Sequence, residues 1–228
     1  MIRRQAAHQE RQVCLVAGLT AVAFSALVVV HPQPLAWEIA FTRWVQQWTL
    51  LYLPLAAVSW PGNSVAIQGL GLVLICWLLA RHGWRREART LAWVGVGVFL
   101  LNLGLKALVG RPRPTAEVVT LYAAAHGWSF PSGHVMFYTA FYGGLVGFAG
   151  GKLSPGISRT VIMALGALLV GLVGWSRIFL GAHWLTDVIA GYGFGIVWLL
   201  LIGRPLWRPS LLETRPATAS PDHSPSKP

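Results

Sequence analysis

Long apolar runs alternate with short polar segments along most of the chain. The first run covers residues 13–30 and is preceded by a basic segment. Further runs cover residues 64–80, 90–109, 135–150, 161–175 and 188–202. Because about 20 mostly apolar residues cross a bilayer as a helix, and somewhat fewer suffice, the pattern predicts six transmembrane helices. The length of the first run and its Val-Val-Val-His ending favour an uncleaved span over a cleaved signal peptide.

Residues 35–50 have a different pattern, in which aromatic and polar side chains alternate. The aromatic residues Trp37, Phe41, Trp44 and Trp48 recur at helical spacing, with Glu38, Arg43, Gln46 and Gln47 between them. Tryptophan rings favour the membrane–water interface, so the pattern predicts an interfacial amphipathic helix. A plain amphipathic helix packed against the spans fits the same spacing. Residues 51–60 give only about 15 Å of helix, which predicts a re-entrant or interfacial segment.

The composition supports a membrane protein. Of 228 residues, 55% are hydrophobic and only 11% are charged, whereas soluble domains average about 25% charged residues. This excludes an ordinary soluble domain and a disordered chain. The formal net charge is +11, from 18 Lys and Arg against 7 Asp and Glu. In so apolar a chain this charge favours an anionic membrane surface or an anionic substrate, and we expect no nucleic-acid partner.

These observations predict an all-α polytopic membrane protein with six transmembrane helices and an interfacial amphipathic helix. Residues 1–12 form a basic N-terminus, 13–202 the membrane domain, and 203–228 a tail that should be mostly disordered. Most lysines and arginines lie in the N-terminus, at 81–89, at 152–159 and from 204 onward. The positive-inside rule therefore predicts that this side, with both termini, faces the cytoplasm.

The polar residues that the spans do not explain collect at the opposite face. Because successive spans alternate in direction, the end of the third, the start of the fourth, the end of the fifth and the start of the sixth share that face. The residues at these places are Lys106, Arg111, Arg113, Ser132, Gly133, His134, Ser176, Arg177, His183 and Asp187.

Three of these residues are cations that would repel one another without an anion between them. Lys106, Arg113 and Arg177 suit the oxygens of a phosphate group. Ser132 can donate a hydroxyl hydrogen bond, and Gly133 allows close approach at a helix N-terminus, which favours an anion. The cluster is therefore interpreted as a phosphate-binding site, since ionisable residues at membrane depth are usually functional.

Two histidines add reaction chemistry to this site. His183 and Asp187 are four residues apart and share a helix face, so the carboxylate can fix one ring nitrogen and leave the other free to attack. His134 can act as general acid and base. A metal site built on these three residues is the alternative. Because neighbouring cations would repel a divalent ion, we expect no metal or other cofactor.

Three segments resemble the signature motifs of the type 2 phosphatidic acid phosphatase family, the PAP2 superfamily. They are Lys106-x6-Arg113-Pro114, Pro131-Ser132-Gly133-His134 and Ser176-Arg177-x5-His183-x3-Asp187. The resemblance implies metal-independent hydrolysis of a phosphomonoester or diphosphate through a phosphohistidine. It assigns His183 as nucleophile, Asp187 as its orienting partner and His134 as general acid and base. The implied phosphate binders are Lys106, Arg113, Ser132, Gly133 and Arg177.

The spacing from Lys106 selects Arg113 as the motif arginine and leaves Arg111 as a secondary contact. The family also includes soluble vanadium haloperoxidases, against which the predicted spans argue. The resemblance favours a multi-pass lipid phosphatase of the bacterial cytoplasmic membrane, with its site on the outer, periplasmic face. Membrane lipids are then its surroundings and a lipid phosphate its partner.

Undecaprenyl diphosphate is the expected substrate, because an external site suits recycling of that carrier. Phosphatidylglycerol phosphate, phosphatidic acid and lipid A phosphate are alternatives, and a non-catalytic lipid-phosphate binding or transport protein is the alternative class. The loop 115–130, with Tyr122, His126 and Trp128, is expected either to shape the head-group pocket or to be an ordinary interfacial loop.

Overall fold

The computed structural model describes residues 2–207, and these residues form α-helices, short 3₁₀ turns and loops without a strand. The helices are α1 (Ile2–Val30), α2 (Ala36–Val45), α3 (Tyr52–Ser59), α4 (Val65–Arg81), α5 (Arg85–Val109), α6 (Gly133–Lys152), α7 (Ile157–Phe179) and α8 (Leu185–Ile202). The all-α fold class is confirmed for this part of the chain. The tail predicted to be disordered lies outside the described residues from 208 onward.

Helix α6 lies at the centre of the helix bundle. It packs against α5, α7 and α8, while α1 packs on α8, α4 on α5 and α3 on α7. Its side chains Met136, Tyr138 and Phe141 are buried in the core, together with Leu91 of α5 and Phe179 of α7. Because α6 is enclosed by other helices, it can carry several glycines and polar residues that a lipid-facing helix would not favour.

Four helical segments are long and apolar enough to cross a membrane. They are His8–Val30, Arg85–Val109, Ile157–Phe179 and Leu185–Ile202, and their apolar windows are mostly exposed on the protein surface. Exposed leucines such as Leu15, Leu19 and Leu70 would be costly in water but suit a lipid environment. The chain is therefore a membrane protein.

The predicted count of six spans is not confirmed. The segment Thr49–Gly62 and helix α4 are bent by 72° at a short break, so they form either one broken span or a re-entrant loop, and the described residues reach at most five spans. The helices also extend beyond the predicted apolar runs, with α5 beginning at Arg85 and α7 at Ile157. A helix can continue past the hydrocarbon layer, whereas the apolar pattern marks only the part inside it.

Helix α2 turns one face towards α7 and α8 and the other outward. Trp37 and Trp44 are exposed, as an interfacial position would require, but Glu38 and Thr42 are completely buried. At Glu38 the structure therefore fits the alternative of an amphipathic helix packed against the spans. The outward face of α2 still presents Trp37 and Trp44, as expected.

Close packing of α8 on α6 brings two of the predicted motifs together. A side chain added at Gly191 would lie 3.1 Å from the Ser132 carbonyl, and one added at Gly195 would lie 2.8 Å from Thr139. The two helix backbones therefore approach closely, as small residues permit. As a result the start of α6, with His134, lies beside the start of α8, with Asp187.

Candidate active site

Three cations converge at one end of the bundle. Lys106 lies in the last turn of α5, Arg177 in the last turn of α7, and Arg113 in the loop after α5. Gly110 ends α5 in a left-handed conformation with a φ of 61°, which redirects the chain into that loop. The charges of all three residues act on His183, so the predicted cation cluster is present.

The hydrogen bonds of Lys106 and Arg113 go largely to backbone carbonyls. The Lys106 ammonium donates to the carbonyls of Trp128 and Ser129. The Arg113 guanidinium donates to the carbonyls of Gly127 (3.0 Å) and Ala182 (2.7 Å). Within residues 2–207, none of the ion pairs includes Lys106, Arg113 or Arg177. No carboxylate of the described residues is therefore paired with these three cations, which leaves the cluster able to receive an anion.

The loop 115–130 contributes to this site through its main chain. The carbonyls that accept from the cations belong to residues 126–129, whereas the side chains of His126 and Trp128 are exposed. The Tyr122 ring stacks on Phe179, with ring centroids 5.3 Å apart. The prediction that the loop shapes a head-group pocket thus stays a prediction, but the loop does line the cation cluster.

The geometry around His183 defines its protonation. Nη1 of Arg113 lies 3.1 Å from His183 Nε2. Because a guanidinium can only donate, Nε2 must accept, and the ring proton is on Nδ1. Nδ1 faces Asp187 Oδ2 at 3.5 Å and Ser129 Oγ at 3.4 Å. His183 therefore presents a lone pair on Nε2 towards the cation cluster.

His183 is also kept uncharged by its surroundings. Burial, followed by the positive charges of Arg113, Lys106 and Arg177, holds the pKa of His183 well below its usual value of 6.5, although a hydrogen bond with the Ser129 backbone acts in the opposite direction. A neutral imidazole is the form that can act as a nucleophile.

His134 lies in the first turn of α6 and faces the junction between α3 and α4. Its Nε2 is 3.1 Å from Asn63 Oδ1. A side chain on Gly62 would lie only 2.3 Å from the His134 ring, so the absence of a side chain at Gly62 leaves room for the imidazole. Arg177 donates to Ser59 and Asn63 of the same junction, and its Nε has no hydrogen-bond partner among the described residues.

Ser132 and Gly133 begin α6 beside these groups. The Ser132 hydroxyl is buried without a hydrogen-bond partner among the described residues, while its backbone N–H donates to the Asp187 carbonyl. A side chain on Gly133 would lie 2.8 Å from Asn102 Oδ1, so close packing alone favours glycine there. The free hydroxyl and the helix N-terminus make this a place where an anion can bind.

Arg111 is separate from the three clustered cations. It is buried behind Asp187, with Nη1 donating to Asp187 Oδ1 at 2.6 Å and Nη2 to Glu38 Oε2 at 2.7 Å. The expected secondary contact of Arg111 is therefore with a carboxylate of the site. The sequence motifs do not include Glu38, Ser59, Asn63 or Ser129, although all four contact residues of the site. Of these, Ser129 lies closest to a motif, just before the one that contains His134.

The alternative of a metal site has no matching ligand set. Within residues 2–207, no three His, Cys, Asp or Glu side chains come together in a way that could hold a metal ion. His134 faces Asn63, while His183 and Asp187 face Arg113 and Arg111. The donors that could have formed such a site are thus divided between different partners.

The fold and the site define a helical membrane protein with two histidines and a carboxylate beside a cation cluster at one end of its bundle. The family model of the PAP2 superfamily matches residues 87–209, which is more than half of the chain. The chain belongs to the PAP2 superfamily.

Two known proteins are similar to this chain. Phosphatidylglycerophosphatase B of Bacillus subtilis (strain 168) is 32% identical over 105 residues, which are 45% of this chain and 50% of that protein. The match thus spans half the length of this curated relative. The fold is similar to a crystal structure described as the first transmembrane PAP2 type phosphatidylglycerolphosphate phosphatase, also from Bacillus subtilis. That match has a TM-score of 0.69 and 24% identity, and covers 83% of this chain and 93% of the other.

Proposed function

We propose that this protein is a membrane lipid phosphatase that hydrolyses a phosphate ester through a phosphohistidine, without a metal ion. The state of His183 supports this proposal most strongly. Its imidazole is neutral, carries its proton on Nδ1, and presents Nε2 to the cation cluster. Lys106, Arg113 and Arg177 would bind the phosphate oxygens and stabilise the charge that develops on them.

In the first step, the lone pair of His183 Nε2 forms a bond to phosphorus, and the bond from phosphorus to the leaving oxygen breaks. With the phosphate dianion bound, a protonated His134 gives its proton to that oxygen and becomes neutral, while Asp187 stabilises the charge on the His183 ring. In the second step, His134 takes a proton from water, whose oxygen bonds to phosphorus as the N–P bond breaks. Inorganic phosphate leaves, and both histidines return to their initial states.

Arg113 must change its partner when the substrate binds. In the structure its Nη1 lies against the Nε2 lone pair that attacks. A phosphate oxygen would accept from this guanidinium more strongly than a neutral ring nitrogen does, because the acceptor is charged. Binding of the phosphate would therefore release the nucleophile and orient the phosphorus towards it.

Phosphatidylglycerol phosphate is the substrate that we propose first, since both relatives carry that activity in their names. Undecaprenyl diphosphate, which the sequence analysis favoured, has no comparable support. A mainly apolar crevice between α4, α5 and α6 is lined by Leu72, Phe99 and Phe137. It adjoins the site through Gln68, which donates to the Gly62 carbonyl, and it would suit a lipid tail.

We place the site at the outer face of a bacterial cytoplasmic membrane, with both termini inside and membrane lipids around the bundle. The basic segment at 81–89 and Lys152 lie at the end of the bundle opposite to the site, because α5 begins at Arg85 and ends near Lys106. The positive-inside rule assigns that opposite end to the cytoplasm.

The test is phosphate release by the purified protein in detergent, from a panel of phosphatidylglycerol phosphate, undecaprenyl diphosphate, phosphatidic acid and lipid A phosphate. We expect release without added metal and in the presence of a chelator. His183→Ala should abolish it, whereas the matched control His82→Ala, an exposed residue at the other end of the bundle, should not.

Three outcomes would contradict the proposal. Unchanged turnover in His183→Ala would refute the nucleophile. Loss of activity with a chelator and its recovery with zinc would favour a metal enzyme. Binding of lipid phosphates without release from any of them would favour the alternative class, a lipid-phosphate binding or transport protein.

A further inference from the structure

Glu38 is a buried carboxylate that the proposed chemistry does not use. It lies on the inner face of α2 and is completely inaccessible to solvent. Its oxygens accept from Arg111 Nη2 at 2.7 Å, from the Thr186 hydroxyl at 2.6 Å and from the Leu35 backbone N–H at 3.1 Å. Burial of a carboxylate is costly unless it is fully paired, so these partners stabilise Glu38 at this position.

Arg111 joins Glu38 to Asp187. One end of its guanidinium donates to Glu38 Oε2, and Nη1 donates to Asp187 Oδ1 at 2.6 Å. The other Asp187 oxygen, Oδ2, accepts from the Ser129 hydroxyl at 2.5 Å and from the Trp184 N–H at 2.9 Å. Arg111 therefore determines which carboxylate oxygen is left to face the ring of the nucleophile.

The direction of the His183 lone pair depends on this arrangement. Nδ1 of His183 faces Asp187 Oδ2 and Ser129 Oγ, and these acceptors keep the ring proton on the side away from the cation cluster. If the Asp187 carboxylate rotated, Nδ1 would lose its acceptors, and the tautomer with the proton on Nε2 would become accessible. That tautomer has no lone pair facing the phosphate.

Glu38 also determines how strongly Arg111 holds Asp187. With Glu38 charged, the guanidinium is shared between two carboxylates. Without that charge, Arg111 would interact with Asp187 alone, and the net charge of these three groups would be one unit more positive. Glu38 is thus placed to control both the position and the charge of the group that orients His183.

We propose that Glu38 is a positioning residue for the nucleophile, acting through Arg111 and Asp187, and this rests on the proposed phosphatase function. Glu38 lies outside residues 87–209, the part of the chain that matches the family model. The residue proposed to position the nucleophile therefore belongs to α2, outside the segment that the family model matches.

The first test compares Glu38→Gln with Glu87→Gln. Glu87 also forms a buried ion pair, with Lys152 at 3.2 Å, but at the opposite end of the bundle. For Glu38→Gln we expect kcat to fall at least about 10-fold, as for other residues that orient a functional group from behind. KM should stay within about twofold, because the phosphate-binding cations are untouched. Glu87→Gln should keep its kcat even if its thermal unfolding midpoint falls.

The second test does not depend on turnover. In protein labelled with ¹⁵N-histidine, the His183 resonances, identified by their loss in His183→Asn, should show a proton on Nδ1 and none on Nε2. In Glu38→Gln they should shift towards the other tautomer, and in Glu87→Gln they should not. If the glutamine variant does not fold, Glu38→Asp takes its place, because the shorter side chain keeps the charge but withdraws it from Arg111.

An unchanged kcat in a folded Glu38 variant would overturn the proposal, and so would an equal loss in Glu87→Gln. An unchanged His183 spectrum would overturn it as well, whatever the kinetics. If the wild-type protein releases phosphate from no lipid, the proposed function fails, but the tautomer comparison still decides whether Glu38 positions His183.

Discussion

Replacing Gly62 by alanine should displace His134 without disturbing the fold. The added methyl carbon would lie 2.3 Å from His134 Cδ2 and 2.6 Å from Nε2. Carbon atoms in contact normally stay about 3.5 Å or more apart, so the imidazole must move by about 1 Å. Gly62 is not among the glycines with positive φ, so alanine can adopt its backbone conformation. The cost therefore falls on the position of the histidine.

The size of the effect follows from the demands of proton transfer. A misplacement of about 1 Å in a reacting group can cost about 100-fold in rate. We therefore expect kcat for phosphate release to fall by about this factor, with KM nearly unchanged. The thermal unfolding midpoint should stay the same or rise slightly, because a Gly→Ala change at a compatible position reduces the entropy of the unfolded chain.

Two controls make this prediction specific. Gly71→Ala, in α4, meets no atom within 4 Å and should leave kcat unchanged. In a His134→Ala background, Gly62→Ala should have little further effect, because both changes act on the same imidazole. Turnover of Gly62→Ala within twofold of the wild type, or an equal loss in the His134→Ala background, would refute the role given to His134.

Three further predictions concern stability and pH. Arg111→Met should lower the free energy of unfolding by about 3–5 kcal/mol, because it leaves two buried carboxylates unpaired, whereas the exposed Arg43→Met should change it little in the same denaturation assay. Protonation removes the lone pair of His183, and the pKa of His183 lies well below 6.5. The acid limb of kcat/KM, corrected for ionisation of the substrate phosphate, should therefore lie below pH 6.5, and an acid limb centred above that value would contradict the assignment. Gly181→Ala should lower the thermal unfolding midpoint more than Gly83→Ala. Both glycines have a positive φ, 68° and 89°, but only at Gly181 would the new carbon meet a backbone carbonyl, at 2.3 Å, whereas Gly83 lies in open space.

The clustering of the predicted site residues could be expected from the sequence because two regularities are local. The spacing of apolar runs defines helix ends, and alternation of helix direction then brings alternate ends to the same face. Lys106, Arg177 and His183 lie together in the structure as this argument requires. The number of spans was less predictable, since α6 is buried in the bundle and α4 is bent against α3. Apolar length alone does not distinguish such helices from lipid-facing ones.

The contacts of Asn63 and Glu38 could not be predicted in this way, because each connects residues that are far apart in the chain. Glu38 pairs with Arg111 across 73 positions, and Asn63 faces His134 across 71. An acidic residue in an amphipathic helix looks like part of its solvated face, and no spacing rule corrects that impression. Only the packing of α2 on α7 and α8 reverses it.

Charge balance is the physical signal that could have identified Glu38. The end of the bundle that carries the site holds Lys106, Arg111, Arg113 and Arg177, and few acids are available there to accompany Asp187. Cations at membrane depth need counter-charges, because unpaired burial is so costly. The three clustered cations could obtain theirs from a bound anion, but an arginine enclosed by the protein cannot. Asp187 alone could neutralise a buried Arg111, but Asp187 also faces His183. Glu38, in an aromatic helix at the same face, supplies a second carboxylate to the guanidinium.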